Sequence, residues 1–147
     1  MQFFINKGYD AYGVDIAEKD LLIARNKLPD LRDHFKIIDP KPSEDDEFFK
    51  IKFDFILANQ SLYYLSESEL RIRLKSLYSM LKLGGYVYFT MMGSQGEYYR
   101  HSEKVQDGLR KVDIQSEAYK DRQRSLHGKA HHSIHYILFT HSKRELK

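Results

Sequence analysis

Residues 53–90 constrain the fold more than any other part of this chain of 147 residues. The stretch opens with FDFIL, a run of aromatic and branched side chains that is typical of a strand buried on both faces of a parallel sheet. It closes with YVYFT, which predicts a second strand. Because a crossover helix fits between them, we expect the two strands to run parallel with a right-handed connection.

The connection carries the signals of one helix. Ser66 and Glu69 have the spacing of a capping box, in which each residue satisfies a backbone amide of the other. Four leucines then recur at helical spacing and form one apolar stripe: Leu70, Leu74, Leu77 and Leu81. Gly84 and Gly85 supply the backbone freedom that ends a helix, so we expect the helix to run to this pair.

The residues before this unit predict two more strands, each followed by an acid. Residues 11–15 form a short apolar run that ends at Asp15, and residues 34–38 form another that Asp39 follows. Residues 17–28 between them predict a helix, which Pro29 stops. Residues 2–7 are typical of the last turns of a further helix, closed by Gly8.

The composition excludes several classes of function. Without cysteine, the chain has no disulfide, no zinc–thiolate site and no thiol catalysis. A formal net charge of +3 is too small to indicate nucleic acid, and no apolar run approaches the roughly 18 residues of a membrane span. The N-terminus lacks the pattern of a signal peptide. We therefore expect one cytoplasmic domain with no nucleic-acid or membrane partner.

The character of the chain changes after residue 92. Residues 93–147 mix tyrosine, glycine and charge without a clean period, although residues 136–140 could form a strand. Ser142 and Glu145 repeat the capping spacing, so a further helix is expected to begin there. Since the chain opens inside one helix and closes at the start of another, we expect a sequence truncated at both ends. The expected division is a partial core in residues 1–92 and a variable substrate lid in residues 93–147.

Three segments of the first 92 residues resemble class I S-adenosylmethionine-dependent methyltransferases, and they follow the order of that family. GYDAYGVDIAEKDLLIARNKL resembles the family's second strand and helix. FDFILANQSLYYLS and LYSMLKLGGYVYFT resemble its fourth strand, crossover helix and fifth strand. The resemblance implies an α/β fold, a Rossmann-like sheet with helices on both faces, and S-adenosylmethionine as cofactor.

The resemblance also implies a role for each residue at the strand ends. Asp15 would accept hydrogen bonds from both ribose hydroxyls, a task that suits an ionised carboxylate. Ile16 would pack on the adenine face, and Asp39 would lie where the family holds the adenine amino group. Asn59 and Gln60 would lie beside the methionine part of the cofactor and the incoming substrate. An acid at a strand end can also be simply solvated, so Asp39 keeps both interpretations open.

Four further residues are candidates for contact with the substrate. Tyr63 and Tyr64 would wall the methyl-transfer site, although tyrosines at such positions are more often packing residues. Tyr98 and His101 lie in the variable lid. His101 is one candidate for a general base toward a substrate hydroxyl, and the catalytic residue itself stays unassigned.

One part of the family pattern is missing. The family's first strand leads into a Gly-rich loop, whereas only Gly8 and Gly13 occur here before residue 84. In this fold the first strand lies between the second and the fourth. Its absence predicts two strand pairs with ladder edges exposed to water, and weak or no cofactor binding by this chain alone.

The histidine-rich segment does not indicate a metal site. His131, His132 and His135 are close in sequence, but the run HHSIHY holds no carboxylate that would complete a two-His-one-acid site. We therefore expect no metal. Residues 120–124 are interpreted as a solvated basic face.

The function expected from these residues is methyl transfer from S-adenosylmethionine to a small polar acceptor, either a metabolite or a saccharide. A non-catalytic, methyltransferase-like interaction module is an alternative, because the Gly-rich loop is absent. A nicotinamide-dependent oxidoreductase is a second alternative, since an acid after the second strand also binds ribose there. An incomplete sheet favours pairing with a second copy of the chain.

Overall fold

A computed structural model describes residues 1–91, 93–113, 115, 117, 120 and 136–140. In chain order the helices and strands are α1 (Gln2–Asn6), β1 (Asp10–Asp15), α2 (Glu18–Lys27), β2 (Phe35–Ile37), β3 (Phe53–Ala58), α3 (Glu67–Ser79), β4 (Leu81–Phe89), α4 (Glu97–Arg100), β5 (Ser102–Lys104), β6 (Arg110–Val112) and β7 (Tyr136–Thr140). Two short 3-10 helices, Pro29–His34 and Leu62–Tyr64, precede β2 and α3. The mixture of parallel strands and crossover helices confirms the predicted α/β class.

The main sheet has five strands in the order β2-β1-β7-β3-β4. Strand β1 pairs parallel with β2, and β3 pairs parallel with β4, as the strand–helix–strand patterns predicted. Strand β7 runs antiparallel to both β1 and β3 and joins the two pairs. The strand predicted at residues 136–140 is therefore confirmed. The expectation of two exposed ladder edges was wrong, because β7 supplies hydrogen-bond partners to both.

Two clusters of buried apolar side chains pack the helices against the sheet. Helix α3 contributes Leu77 to the larger cluster, where it joins Val14 of β1, Ile56 of β3 and Leu138 of β7. Helix α2 contributes Leu21 and Ala24 to the smaller cluster. The β1–β2 and β3–β4 connections step in opposite directions along the sheet, so right-handed crossovers place α2 and α3 on opposite faces.

The face opposite α3 is open over β3 and β4. Tyr86 and Tyr88 point away from the core and are 70% and 57% exposed, while Phe55 and Leu57 are half-buried. The expectation that these strands are covered on both faces was therefore wrong within the described residues. Helix α2 covers the β1–β2 half of this face, and the one-turn helix α1 contacts β1.

Helix α3 ends earlier than the leucine stripe predicted. Its last residue is Ser79, and Met80 caps it by donating its amide to the Leu77 carbonyl at 3.2 Å, while the Met80 carbonyl accepts a hydrogen bond from the Phe53 amide at 2.9 Å. Leu81 already pairs with Phe53 in the sheet, so the prediction that it extends the helix was wrong. The apolar spacing continued across the boundary because Leu81 packs against the same core from the strand.

The two glycines form a bulge in β4 instead of a helix stop. The register steps from the pair Phe53–Leu81 to the pair Phe55–Tyr86, which loops out the residues between Leu81 and Tyr86. Gly84 adopts a φ of 78°. A Cβ on Gly85 would lie 3.0 Å from the Phe53 carbonyl oxygen, so the close approach of the two strands favours glycine at this position.

Candidate active site

The carboxyl ends of β1, β2, β3 and β4 lie at one edge of the sheet. This follows from the register, because β1 and β3 both run antiparallel to β7 and each is parallel to its outer neighbour. Ligands of open α/β sheets bind outside this edge. The edge carries the predicted residues Asp15, Asp39, Asn59 and Gln60, so the structure brings together the ends that the sequence indicated.

Asp15 stabilises the turn from β1 into α2. Its carboxylate oxygen Oδ1 accepts a hydrogen bond from the Ala17 amide at 2.8 Å, and the side chain is fully buried. Its backbone carbonyl accepts a hydrogen bond from the Ile38 amide at 2.9 Å, which ties this turn to the end of β2. The carboxylate is therefore not open to a ribose in this arrangement. Ile16, the next residue, is exposed at the edge.

Asp39 lies in the loop after β2 and is exposed. Its carboxylate oxygen Oδ1 accepts a hydrogen bond from the Lys41 amide at 2.8 Å, and its backbone carbonyl accepts one from Arg73 at 3.2 Å. Arg73 thus fixes the backbone of this loop to α3. The Asp39 side chain remains accessible to a ligand.

Thr90 links the ends of β3 and β4, and sequence reasoning missed it. Its hydroxyl accepts a hydrogen bond from the Gln60 amide at 2.7 Å and donates one to Asn59 Oδ1 at 3.0 Å. Gln60 holds a φ of 53°, a left-handed conformation that is uncommon for a residue with a side chain and costs about 1–3 kcal/mol. The next residue, Ser61, is buried, and its hydroxyl has no hydrogen-bond partner among the described residues. This turn therefore combines backbone strain with an unsatisfied polar atom.

A cavity of about 480 Å³ lies next to this edge. Tyr63 and Tyr64 of the second 3-10 helix form one wall, with ring centres 4.4 Å apart. Met91, which follows β4, Glu67 at the start of α3, and two residues of the segment after β4, Tyr99 and Arg110, also line it. The volume suits a small molecule.

The structure separates the four predicted substrate contacts. Tyr63 and Tyr64 line the cavity, whereas His101 is exposed and does not line it. Tyr98 lies on α4. The neighbouring Tyr99, which was not among the predicted contacts, lines the wall.

The β5–β6 hairpin that supplies part of this wall is attached to the N-terminus of α3. The Asp107 carboxylate at the hairpin tip accepts hydrogen bonds from the Ser68 hydroxyl and from the Ser68 amide, the latter at 3.2 Å. The Asp107 carbonyl accepts one from the Glu67 amide at 2.8 Å. Hydrogen bonding by the Ser68 side chain is the main cause that lowers the pKa of Asp107. Asp107 and the capping box therefore satisfy the first amides of α3 together.

The capping box is present as predicted. The Ser66 hydroxyl accepts a hydrogen bond from the Glu69 amide at 3.4 Å, and the Glu69 carboxylate accepts one from the Ser66 amide at 3.0 Å. The bond from the Ser66 amide is the main cause that lowers the pKa of Glu69.

Comparison with known proteins identifies the family. A family model described as a methyltransferase domain matches residues 1–87, more than half of the chain. The chain belongs to this methyltransferase-domain family. No curated protein and no solved structure matches the chain.

A methyltransferase domain of this family generally uses S-adenosylmethionine, and most of the predicted edge residues are open to such a ligand. Ile16, Asp39, Asn59 and Gln60 are exposed at the carboxyl edge. The unsatisfied Ser61 hydroxyl next to them in the chain is buried and is not itself open to a ligand. Asp15 is the exception, because its carboxylate is buried in its own turn. These residues fit the cofactor except at the ribose position.

The structure has a second cavity, which lies away from the carboxyl edge. This cavity of about 790 Å³ lies beside α1 and the β4 bulge, and apolar side chains such as Phe3 and Phe55 line it. Among the described residues no cluster of histidine and acidic side chains could hold a metal ion, and no helix is long and apolar enough to cross a membrane. The histidines His131, His132 and His135, residues 121–124 of the basic segment and the helix expected at Ser142 lie outside the described residues.

Proposed function

We propose that this chain binds S-adenosylmethionine at the carboxyl edge of its parallel strands and transfers the methyl group to a small polar acceptor. The observation that carries the proposal is the turn after β3, where a strained Gln60 and a buried Ser61 hydroxyl without a described partner stand in the chain between the end of β3 and the cavity residues Tyr63 and Tyr64. Strain of this kind concentrates at ligand sites. The family match to residues 1–87 supports methyl transfer in general.

The residues of the turn would hold the two reactants in line. Asn59 and Gln60, which Thr90 fixes, would contact the cofactor's methionine part, and the exposed Ile16 and Asp39 would contact its adenine. Tyr63 and Tyr64 would position the acceptor on the other side of the turn. The bound cofactor supplies an activated methyl group on a sulfonium, so alignment is the main task of the protein.

The proposal includes no general base. The Tyr63 hydroxyl donates a hydrogen bond to the Tyr64 hydroxyl at 3.2 Å, which leaves the Tyr64 proton available to orient a polar acceptor. His101 does not line the cavity. The carboxylate in the described wall, Glu67, is bonded to Arg71, so the acceptor is proposed to be a nucleophile that needs no residue of this wall to remove its proton.

A non-catalytic interaction module is the second candidate, and the buried Asp15 favours it. The Asp15 carboxylate is buried and bonded to the Ala17 amide, so it is not open to a ribose, and these 147 residues contain no Gly-rich loop. In this interpretation the side of β4 that no described strand pairs with and the exposed Tyr86 and Tyr88 would contact another chain, including a second copy.

Calorimetric titration tests the proposal directly. We expect S-adenosylmethionine to bind saturably with a Kd on the order of 0.1–1 mM, equivalent to about −5.5 to −4 kcal/mol, and NAD⁺ not to bind. Asn59→Leu should weaken binding at least about fivefold, since it removes the amide at the edge. The matched control is Asn6→Leu, because Asn6 is also exposed but lies on α1.

Each outcome separates the candidates. Saturable binding that Asn59→Leu weakens and Asn6→Leu leaves unchanged supports the methyltransferase. An absence of binding at concentrations about ten times the expected Kd supports the interaction module. Low-micromolar affinity would contradict the expectation that the missing Gly-rich loop weakens binding.

A further inference from the structure

We infer that the cavity beside the strand ends selects an acceptor that carries an anionic group, and that Arg110 binds this group. The inference deepens the proposed function, because it names the chemical class of the molecule that the cavity accepts. Three features support it: the contacts that hold the Arg110 guanidinium, its unused hydrogen-bond donors, and the other charges in the cavity wall.

The guanidinium of Arg110 is fixed from two sides. Its Nε donates to the Ser102 hydroxyl at 2.7 Å, and its Nη2 donates to the Ser102 carbonyl at 2.6 Å. The plane lies over the Tyr99 ring, with 4.0 Å from the guanidinium carbon to the ring centre. Ser102 is buried, and its hydroxyl donates to the Tyr99 carbonyl at 2.8 Å. Arg110 is thereby pre-organised, which reduces the entropy lost when it binds a ligand.

The fixed guanidinium keeps donors for a ligand. Of its five N–H groups, the two contacts to Ser102 use one on Nε and one on Nη2. The Nη1 atom makes no hydrogen bond to any residue that the structure describes. The end of the fork formed by Nη1 and Nη2 can therefore donate two parallel bonds, the geometry that matches a carboxylate or a phosphate.

The other charges of the wall leave Arg110 as the group that an anion would meet. Glu67 also lines the cavity, but its carboxylate accepts a hydrogen bond from Arg71 at 2.7 Å. Asp107 on the same hairpin is engaged with Ser68. Arg110 forms no ion pair with a described residue. The negative Glu67 would also repel an anion from its own end of the cavity.

The tyrosines indicate the rest of the molecule. Tyr63, Tyr64 and Tyr99 present aromatic surface, and Tyr63 and Tyr64 add hydroxyls. A planar body with a hydroxyl and one anionic group would use both features. The probes are therefore 4-hydroxybenzoate, its neutral amide of nearly the same size, and phenyl phosphate.

The experiment titrates these probes by calorimetry near neutral pH into the whole chain. On the unmodified chain we expect 4-hydroxybenzoate to bind at least about tenfold more tightly than 4-hydroxybenzamide, a factor that corresponds to about 1.4 kcal/mol. Arg110→Gln should abolish this preference, and Arg110→Lys should reduce it, because lysine lacks the planar fork. Arg100→Gln is the matched control, since Arg100 lies on α4, is exposed and does not line the cavity.

The outcomes separate this inference from the proposed function. Equal binding of 4-hydroxybenzoate and 4-hydroxybenzamide to the unmodified chain overturns the inference. This test needs no variant, so it holds even if Arg110→Gln does not fold. A preference that Arg100→Gln removes as fully as Arg110→Gln overturns it as well. Titration of S-adenosylmethionine on the same sample tests the proposed function separately. Cofactor binding without a preference for the acid overturns only the inference about Arg110. A preference for the acid without cofactor binding overturns only the proposed methyl transfer. Preference for phenyl phosphate over 4-hydroxybenzoate assigns the anionic group to the phosphate class.

Discussion

Two ion pairs join the acidic loop after β2 to helix α3, and they differ mainly in burial. Arg73 donates to Asp46 and Lys75 donates to Glu44, both at 2.7 Å. The Arg73 and Asp46 side chains are 2% and 25% exposed, whereas those of Lys75 and Glu44 are 66% and 58% exposed. Truncating the acid of each pair to alanine therefore compares a buried with an exposed ion pair, and Asp46→Ala also removes the bond from the Ser43 amide at 3.0 Å.

The expected difference is large because Arg73 stays buried when its partner is removed. Loss of one member of a buried pair costs 3–5 kcal/mol, and the partial exposure of Asp46 places Asp46→Ala at about 3 kcal/mol. Glu44→Ala should cost less than about 1 kcal/mol, as exposed pairs do. Arg73→Met removes the charge but keeps a long side chain against Phe48, so the double variant with Asp46→Ala should lie within about 1 kcal/mol of the unmodified chain.

Urea unfolding followed by circular dichroism measures these free energies. In a chain of this length, about 3 kcal/mol lowers Tm by about 6–12 °C, so thermal melts provide a second reading. The double-mutant cycle should give a coupling of at least about 2 kcal/mol between Arg73 and Asp46. The reasoning is refuted if Asp46→Ala and Glu44→Ala cost the same, or if the two changes at Asp46 and Arg73 simply add.

Two more predictions concern the hairpin and the bulge. The pKa of Asp107 is lowered by its bonds to Ser68, so its contribution to stability is fully present above the ordinary pKa of about 4 and is lost as the pH falls through its lower folded pKa. An NMR titration should show the Ser68 amide changing only in that acidic range, and Asp107→Asn should abolish the transition. Gly85→Ala should cost about 1–3 kcal/mol in urea unfolding, because the new Cβ meets backbone carbonyls that cannot rotate away. Gly93→Ala, where a Cβ meets nothing within 4 Å, is its control, and equal costs would contradict the close approach.

The features predicted correctly from sequence are those set by neighbours along the chain. Ser66 and Glu69 lie three residues apart, so their capping box depends only on local geometry and is present in the structure. The strand ending at Asp15 and the helix that follows it were also predicted within one or two residues, since apolar spacing and Pro29 mark their limits. The edge of the sheet that carries the candidate cofactor residues follows from the same strand–helix–strand order.

The features missed depend on contacts between distant parts of the chain. Nothing near Thr90 indicates that its hydroxyl binds the turn after β3, a bond that spans 30 residues to Gln60. Arg73 has the sequence appearance of a surface charge on a helix, yet Asp46 and the loop bury it. Arg110 lines the cavity from a hairpin whose tip binds the start of α3, a contact between residues 39 positions apart. Sequence periodicity does not encode such pairings.

Strand β7 is central in the sheet but is the last described strand along the chain, and this order affects synthesis. Proteins emerge from the ribosome with the N-terminal part first, so β1–β2 and β3–β4 can each form while residues 136–140 are still untranslated. The sheet is completed when β7 inserts between the two pairs, and such pairing of strands far apart in sequence is slow. A premature stop codon ahead of codon 136 would leave the edges of β1 and β3 without the partner that β7 supplies, and we expect the product to aggregate instead of forming a smaller domain.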